Sequence, residues 1–397
     1  MEHISGGVCA AKGFQAGGIH CGIRKNRGKR DISMIVSEVP ASAAAVYTSN
    51  LVKGAPIYVT QRNLAGGIAQ LAVCNSGNAN TCNADGEEVA WQMCELAGKA
   101  AGIDPHHVIV ASTGVIGQPL SIEPIAQHMS ELYAAVKGNG SQEAAEGIMT
   151  TDTRLKEVAV SFVVDGKVCH LGGIAKGSGM IHPNLATMLV FLTCDAAISP
   201  AMLRKALSDN VKDTFNMVSV DGDTSTNDMV AGNALIDSEN ADYAVFCAAL
   251  NEVTTALCRM IAKDGEGASR LLTCVVTGGK TVRDAKLAAK SVICSSLLKA
   301  AIFGADANWG RVLCALGYSG AEIDVKKVDV AFRSAVGSID VCKNGASIDF
   351  SEDKAKEILL EDEVDVVVTL HDGDASATAW GCDLTYDYVK INGDYRS

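Results

Sequence analysis

The sequence predicts an α/β protein in which short strands alternate with amphipathic helices. Of its 397 residues, 48% are hydrophobic, 20% are charged and 39 are glycine, an ordinary composition for a globular chain. β-Prone runs such as 158–164 alternate with helical patterns such as 241–263, in which apolar residues recur every three or four positions. The length alone allows two or three domains or lobes.

The first part of the chain predicts short strands at 32–36, 44–48 and 69–73. The last of these runs into a cluster of Asn, Gly and Ser at 75–80, residue types that accept unusual backbone angles. The cluster can line a site, or it can simply connect the strand to the helix predicted at 87–101. The residues alone leave both alternatives open.

A strand at 108–111 is followed by Ser112, Thr113 and Gly114. A Thr-Gly pair at the end of a strand can turn a hydroxyl and a backbone N–H towards a ligand, which is the layout of an oxyanion hole. The same pair also ends many strands without any catalytic role, so the pattern does not identify a site by itself.

Two helices are predicted next, the first with Pro124 in its first turn and the second around 142–146. They lead to Thr150, Thr151 and Asp152, which form either a solvated turn or part of a binding loop. After this turn, two β-rich runs joined by Asp165-Gly166 predict a hairpin.

The most informative stretch is 176–190, which reads Lys-Gly-Ser-Gly-Met-Ile-His-Pro-Asn-Leu-Ala-Thr-Met-Leu-Val. Its glycines and Pro183 predict a tight turn, and the apolar run that begins after Thr187 predicts a buried strand. Lys176 is either a surface cation or one that binds a substrate carboxylate or an oxyanion. A P-loop is excluded, because Lys176 precedes its glycine instead of following it.

Thr187 has two interpretations. A Thr at the head of a strand is usually only a β-former. As a nucleophile it needs a base, and a Thr at a chain N-terminus finds one in its own α-amine. That route requires a cut between Ala186 and Thr187, in which the Thr187 hydroxyl attacks the Ala186 carbonyl and water hydrolyses the resulting ester.

In the second half, Ser199 and Pro200 open a helix, and a strand at 217–220 ends in the acidic loop 221–228. That loop lacks the rest of an EF-hand, so a polar loop near the site is favoured over calcium binding. After the long helix 241–263, Glu266 stands between two glycines at a loop tip.

The remainder predicts one helix over 282–302, a loop in which Asp306 and Arg311 could pair, and mainly strands over 327–390 with a short charged helix at 352–360. An apolar strand is predicted to lead into the C-terminus.

Composition and charge exclude several classes of function. The net charge of -12 disfavours nucleic acid or an anionic membrane surface as a partner. We expect no transmembrane segment and no secretory signal, since no run approaches 18 apolar residues and the start lacks a basic region before an apolar core. The 14 cysteines are scattered without a Cys-x-x-Cys, which favours free thiols in a reducing, cytoplasmic setting over metal or disulfide roles.

The fourteen residues from Lys176 to Leu189 resemble the self-cleavage signature of the ornithine acetyltransferases, which make N-acetylglutamate in arginine biosynthesis. The resemblance covers nearly the whole chain. It implies an α/β sandwich with mixed sheets between helices, similar to self-cleaved N-terminal-nucleophile folds. It also implies an α chain, 1–186, and a β chain, 187–397, that build one active site and assemble as α2β2.

The resemblance further implies a ping-pong transfer of an acetyl group from N-acetylornithine to glutamate, with Thr187 as the nucleophile. No cofactor or metal is expected, although acetyl-CoA can serve as a donor in bifunctional members. The implied oxyanion donors are Thr113 and Gly114, and the implied substrate contacts are Thr150, Lys176, Thr187, Glu266, Asn392 and Ser397, with Thr151 and Asp152 as further candidates. Ser397 replaces the more common Thr but keeps a hydroxyl.

Two other functions remain open from the sequence. A self-processing aminopeptidase or amidase would share the fold and the cleaved nucleophile but pass the acyl group to water. A binding protein with a vestigial site would not cleave itself at all.

Overall fold

The computed structural model describes residues 1–182, 188–223 and 239–393. The strands are β1 (Glu2–Ile4), β2 (Phe14–Ile19), β3 (Ile32–Ser42), β4 (Ile68–Asn78), β5 (Val108–Val115), β6 (Lys156–Val164), β7 (Lys167–Lys176), β8 (Leu189–Cys194), β9 (Val218–Ser219), β10 (Leu271–Gly279), β11 (Asp329–Ser334), β12 (Gly337–Lys343), β13 (Ala346–Ser347), β14 (Glu363–Thr369) and β15 (Ala375–Cys382).

The helices alternate with these strands, as the composition predicts. They are α1 (Ala55–Asn63), α2 (Gly86–Ala101), α3 (Glu123–Ala134), α4 (Ser141–Ile148), α5 (Pro200–Asn210), α6 (Ala241–Lys263), α7 (Val282–Cys294), α8 (Ser296–Phe303), α9 (Trp309–Gly317), α10 (Glu352–Leu359) and α11 (Tyr386–Gly393). The α/β class is confirmed.

The strands form three sheets. The N-terminal sheet has the order β2-β3-β4-β5 and the middle sheet the order β1-β6-β7-β8. The large sheet has the order β13-β12-β11-β14-β10-β15-β9. The N-terminal and large sheets mix parallel and antiparallel pairs, because β4 runs parallel to β5 and β10 runs parallel to β14. The middle sheet is antiparallel throughout, and the predicted hairpin supplies its β6 and β7.

The N-terminal and middle sheets pack face to face, which makes the core a sandwich. Cys74, Ile109 and Ala111 of the N-terminal sheet share one buried cluster with Ile174 and Leu189 of the middle sheet. We call this cluster the inter-sheet layer. Since side chains alternate across a strand, residues two positions further along each strand face the same layer.

Helices cover the outer faces of the sandwich. Helices α1 and α2 pack on β5, and α3 packs on β3. On the other side, α6 lies against β6 and β7 of the middle sheet and also touches β10 and β15 of the large sheet. Helix α7 packs on β10 and β15. The sheets are therefore enclosed between helical layers, in agreement with the expected sandwich.

Among the described residues, helix α6 alone is long and apolar enough to cross a membrane by length and composition. Its buried residues Phe246, Val253 and Leu257 belong to the core shared with the middle and large sheets. The core therefore accounts for the apolar face of this helix.

Three local predictions are wrong. Residues 44–48 form no strand, because the chain leaves the β3–β4 ladder after Ser42 and finds no neighbouring strand. The helix predicted over 282–302 is divided at Ser295, whose side chain caps α8 by accepting from Leu298 N. The strand predicted near the C-terminus is helix α11, since β9 already occupies the neighbouring edge beside β15.

Truncating a core residue of α6 tests this packing. Leu257 is fully buried and reaches Gly173 of the middle sheet. We expect Leu257→Ala to lower the free energy of unfolding by about 2–5 kcal/mol, because it leaves a cavity between helix and sheet. Chemical denaturation followed by circular dichroism measures the loss. Leu297→Ala, at a position 61% exposed, is the matched control and should change little; equal effects of the two variants would contradict the packing described.

Candidate active site

Lys176 and Thr113 face the inter-sheet layer from opposite sheets. Lys176 follows Ile174 by two positions on β7, and Thr113 follows Ala111 by two positions on β5. Both side chains are buried, Lys176 being only 8% exposed. Burial raises the pKa of the Cys74 thiol, and the Lys176 cation partly opposes that rise. Thr113 and the cation are therefore brought to one layer.

Gly114 is fixed in a conformation that only glycine adopts readily. Its φ is +133°, and a Cβ added there would lie 2.3 Å from the carbonyl carbon of Gly77 on β4. Gly77 and Gly114 are register partners at the ends of these parallel strands. The peptide between Thr113 and Gly114 is therefore held rigidly against β4, as a fixed donor group requires.

A buried ion cluster lies at the start of β6. The Lys156 side chain, 1% exposed, places Nζ 2.7 Å from Asp152 Oδ1 and 2.5 Å from Asp264 Oδ2. Asp152 Oδ1 also accepts from Gly177 N at 2.7 Å, and Oδ2 accepts from Thr150 N at 2.9 Å. Asp152 thus ties the Thr150 turn to the residue that follows Lys176.

The charges in this cluster are balanced. Burial alone would raise the pKa of the Asp152 carboxyl, but the Lys176 and Lys156 cations outweigh burial and hold that pKa well below its usual range. Asp152 is therefore ionised, and its two oxygens already accept from Lys156, Gly177 and Thr150. Its observed role is to hold backbone and cation in place.

Asp264 connects this cluster to Glu266. Its carboxylate accepts from the backbone N–H groups of Thr153 and Arg154, and its carbonyl oxygen accepts from the Ser178 hydroxyl at 2.6 Å. Glu266 N in turn donates to Ser178 O at 3.0 Å. The loop that carries Glu266 is thereby joined to the turn that follows Lys176.

Glu266 and Asn392 are in direct contact. Asn392 Nδ2 donates to Glu266 Oε2 at 2.7 Å and to Tyr388 O at 3.1 Å. The Glu266 carboxylate lies against Gly179, where an added Cβ would stand 2.4 Å from the carboxyl carbon. Glu266 is only 8% exposed, so its carboxylate packs against the turn at Gly179 and is largely shielded from solvent. Glu266 and Asn392, two of the predicted substrate contacts, are therefore neighbours.

The turn between Lys176 and the following strand is held by Asp221. Its carboxylate accepts from Met180 N at 2.6 Å and Ile181 N at 2.9 Å, and Tyr388 Oη lies 3.3 Å from Oδ2. Met180 has φ +57°, which is unusual for a non-glycine residue and marks a constrained turn. Asp221 thus lies beside this turn, whereas residues 224–228 of the predicted polar loop lie outside the described residues. Within the described ranges, no group of His, Cys, Asp and Glu is arranged for a metal ion.

The described residues therefore form two connected groups. Thr113 and Lys176 face the inter-sheet layer, Gly114 adjoins Thr113, and Asp152 links the backbone of Thr150 to that of Gly177, the residue after Lys176. Glu266 and Asn392 meet beside Gly179, on the turn that continues from Lys176. The remaining predicted positions, Ala186, Thr187 and Ser397, lie outside the described residues.

Sequence reasoning missed Lys156 and Asp264 and gave Asp221 no specific role. Nothing in the local sequence marks Lys156, which begins an ordinary strand, and its importance comes from burial between two carboxylates distant in sequence. Asp264 had a signal, because it stands two residues before Glu266 in the same glycine-rich loop. Asp306 and Arg311 were considered a possible pair, but Arg311 donates to Leu297 O and Asp306 accepts from Asn308 Nδ2.

The ion cluster predicts a pH-dependent stability. Asp152→Asn keeps the shape but leaves Lys156 and Lys176 without one anion, so we expect a loss of about 3–5 kcal/mol at pH 7. The carboxyl pKa is lower in the folded than in the unfolded chain, where it is about 3.9. Its contribution is therefore full above that unfolded value and disappears as pH falls towards the folded one.

Thermal unfolding of the wild type and Asp152→Asn between pH 7 and pH 3 measures this difference. The gap in Tm should narrow only below about pH 4. Asp209→Asn is the matched control, because its carboxylate is exposed between Lys205 and Lys212 and should add little to stability. A gap that stayed constant down to pH 3 would contradict the assigned ionisation.

Known proteins resemble this chain along almost its whole length. The sequence matches the model of the ArgJ family over residues 15–397. It is 50% identical over 392 residues to arginine biosynthesis bifunctional protein ArgJ 1 of Clostridium acetobutylicum, covering 97% of this chain and 96% of that protein. It is 47% identical over 405 residues to arginine biosynthesis bifunctional protein ArgJ of Caldanaerobacter subterraneus subsp. tengcongensis, covering 100% of both.

Among solved structures, the crystal structure of arginine biosynthesis bifunctional protein ArgJ from Bacillus halodurans is similar, with a TM-score of 0.50 and 45% sequence identity. The match covers 53% of this chain and 100% of that chain.

Proposed function

The chain belongs to the ArgJ family, and on that premise we propose that it transfers an acetyl group from N2-acetyl-L-ornithine to L-glutamate in two half-reactions. Family membership makes it an acetyltransferase of arginine biosynthesis. The donor, the acceptor and the ping-pong order are our proposal. Its products are ornithine and N-acetylglutamate.

One observation carries the proposal. A buried cation, Lys176, and a buried carboxylate, Glu266, are held close to one turn: Lys176 precedes it, and the loop of Glu266 is hydrogen-bonded to it through Glu266 N and Ser178 O. In the sequence, Ala186 and Thr187 follow this turn. N-Acetylornithine has one carboxylate and one free ammonium group. Opposite charges at fixed separate points suit such a zwitterion, since each charged end finds a partner without water. Thr150, Asn392 and Ser397 supply neutral polar groups around it.

In the first half-reaction, the Thr187 hydroxyl attacks the acetyl carbonyl carbon of N-acetylornithine. A C–O bond forms, the hydroxyl proton passes to the free α-amine of Thr187, and the carbonyl electron pair moves onto oxygen. Thr113 and Gly114 donate hydrogen bonds to that oxyanion. The C–N bond then breaks, ornithine leaves with the proton, and an acetyl ester remains on Thr187.

In the second half-reaction, the amine of glutamate attacks the ester carbonyl. The N–C bond forms, the ester C–O bond breaks, and the proton released from nitrogen restores the Thr187 hydroxyl. Acetyl-CoA could load the same ester by its thioester carbonyl, which would make the enzyme bifunctional. We propose no cofactor.

The mechanism needs a free amine on Thr187, and we propose that the chain cuts itself between Ala186 and Thr187. The solved relative supports a cut of this kind, because its whole chain matches 53% of this one, and residues 187–397 are also just over half of the sequence. The two products, 1–186 and 187–397, would remain together, and we propose that they assemble as α2β2.

Self-cleavage is tested by intact-mass spectrometry on freshly purified protein. We expect two chains, 1–186 and 187–397, in the wild type and one uncut chain in Thr187→Ala, because the variant has no attacking hydroxyl. Thr187→Ser, which keeps a hydroxyl, is the control and should still cleave. A wild-type chain that stays intact on long incubation would remove the amine base and with it this mechanism.

The substrate assignment is tested by changing Glu266. Glu266→Gln keeps its size and a hydrogen-bonding side chain but removes the charge that would meet the ammonium group. We expect kcat/KM for N-acetylornithine to fall about 10–100-fold, through loss of one charge-assisted hydrogen bond. The measurement is ornithine release in the presence of glutamate.

The matched control is Glu252→Gln on the exposed surface of α6, which should leave kcat/KM unchanged. An equal loss in both variants would argue against Glu266 as a ligand. Acetate production that does not need glutamate would instead favour the amidase alternative.

A further inference from the structure

Ser76 has a buried hydroxyl with no partner. The residue is 0% exposed, and its Oγ makes no hydrogen bond to any atom of the described structure. Its backbone is well held, since Ser76 N donates to Asp31 O at 2.8 Å. A buried polar atom normally finds a partner because leaving one unpaired costs stability. An unpaired hydroxyl fixed in this way is a candidate for binding something absent from the free protein.

The Ser76 side chain lies on the same face of the N-terminal sheet as the Thr113 side chain. Ser76 on β4 is the register partner of Thr113 on the parallel neighbour β5, and paired residues of adjacent strands project to the same face. Two residues earlier, Cys74 and Ala111 are also register partners, and both lie in the inter-sheet layer. Ser76 therefore continues the row that faces this layer, at the strand ends where Thr113 and Lys176 lie.

Neighbouring polar side chains do not use this hydroxyl. Asn75 and Ser112, the adjacent register pair, are joined to each other by a hydrogen bond of 2.6 Å from Ser112 Oγ to Asn75 Oδ1. They alternate with Ser76 and Thr113 and so belong to the opposite face of the sheet. Gly77 and Gly114 pack closely against each other, so β4 and β5 are held together immediately after Ser76. The Ser76 backbone is thus held in place, and its hydroxyl proton has no acceptor among the described residues.

We propose that Ser76 is a further catalytic residue, whose hydroxyl donates a hydrogen bond to the acetyl carbonyl oxygen beside Thr113 and Gly114. This inference rests on the proposed acetyl transfer and adds a donor to it. When the Thr187 oxygen bonds to the carbonyl carbon, the π electron pair moves onto the oxygen, and Ser76 O–H stabilises the new charge without giving up its proton. When the tetrahedral intermediate collapses, the pair returns to the carbonyl and Ser76 is unchanged.

The experiment compares stability with the rate of enzyme acetylation. Purified wild-type, Ser76→Ala and Ser76→Cys proteins are mixed with excess N-acetylornithine without glutamate, quenched at intervals, and examined by intact mass for the acetylated 187–397 chain. Rates are normalised to the fraction of cleaved chain. We expect Ser76→Ala to acetylate about 10–100-fold more slowly, as for loss of one oxyanion donor, and Ser76→Cys, a weaker donor, to be intermediate.

Measuring Tm beside the acetylation rate distinguishes a catalytic role of Ser76 from a structural one. Because the hydroxyl has no partner among the described residues, its removal should leave Tm unchanged or raise it, while the acetylation rate falls. Ser334→Ala is the matched control: Ser334 Oγ is another buried hydroxyl without a partner, on β11 of the large sheet, and its loss should change neither quantity.

An Ala variant that acetylates as fast as the wild type would overturn the inference, and so would a rate loss that follows a fall in Tm. These results differ from a failure of the proposed function, in which the wild type itself would form no acetylated chain. If Ser76→Ala yields no cleaved protein, Ser76→Cys decides: a wild-type rate in that variant also overturns the role.

Discussion

The buried Lys156 ammonium group is the interaction on which the site depends. It stands between Asp152 and Asp264, which come from distant parts of the chain. Each carboxylate also accepts hydrogen bonds from backbone N–H groups of the surrounding loops. A buried cation between two anions is tolerable only when all three groups are satisfied, so these loops can adopt few other arrangements. One ammonium group thereby fixes the positions of several residues that are predicted to contact substrate.

A second constraint comes from the two opposed sheets, because side chains alternate between the two faces of each strand. Once Ile174 and Ala111 face each other across the layer, Lys176 and Thr113 must face it too. Polar side chains then appear only at the strand ends, where the apolar cluster stops. These polar side chains thus lie at the edge of a hydrophobic core, where they are shielded from water.

Much of this could be predicted from sequence, for different reasons in different places. The α6 helix was predicted with its observed bounds because its apolar periodicity is long and regular. The hairpin of β6 and β7 followed from Asp165-Gly166 between two β-rich runs. Thr113, Lys176 and Glu266 were named through a family resemblance, and the individual residue types would not have identified them.

What could not be predicted depends on partners distant in sequence. The Lys156 cluster joins residues more than a hundred positions apart, and no local pattern records such a meeting. The C-terminal segment was assigned as a strand from its β-prone residues, but strand formation needs a free sheet edge and β9 occupies that edge. Likewise Ser76 was seen only as one of several turn formers, because whether a hydroxyl has a partner is a property of the fold.

The pairing of β7 with β8 affects how the protein would fold and unfold before and after cleavage. These neighbouring strands lie on opposite sides of the proposed cut, with Lys176 paired to Leu189 in the ladder, and the inter-sheet layer mixes residues from both sides. Before cleavage, folding is a unimolecular event. After the proposed cleavage the two pieces would be interleaved and could not part without unfolding, and refolding from denaturant would become a bimolecular encounter that dilution suppresses. The mature protein would then persist because it unfolds slowly, whatever the equilibrium between its separated chains.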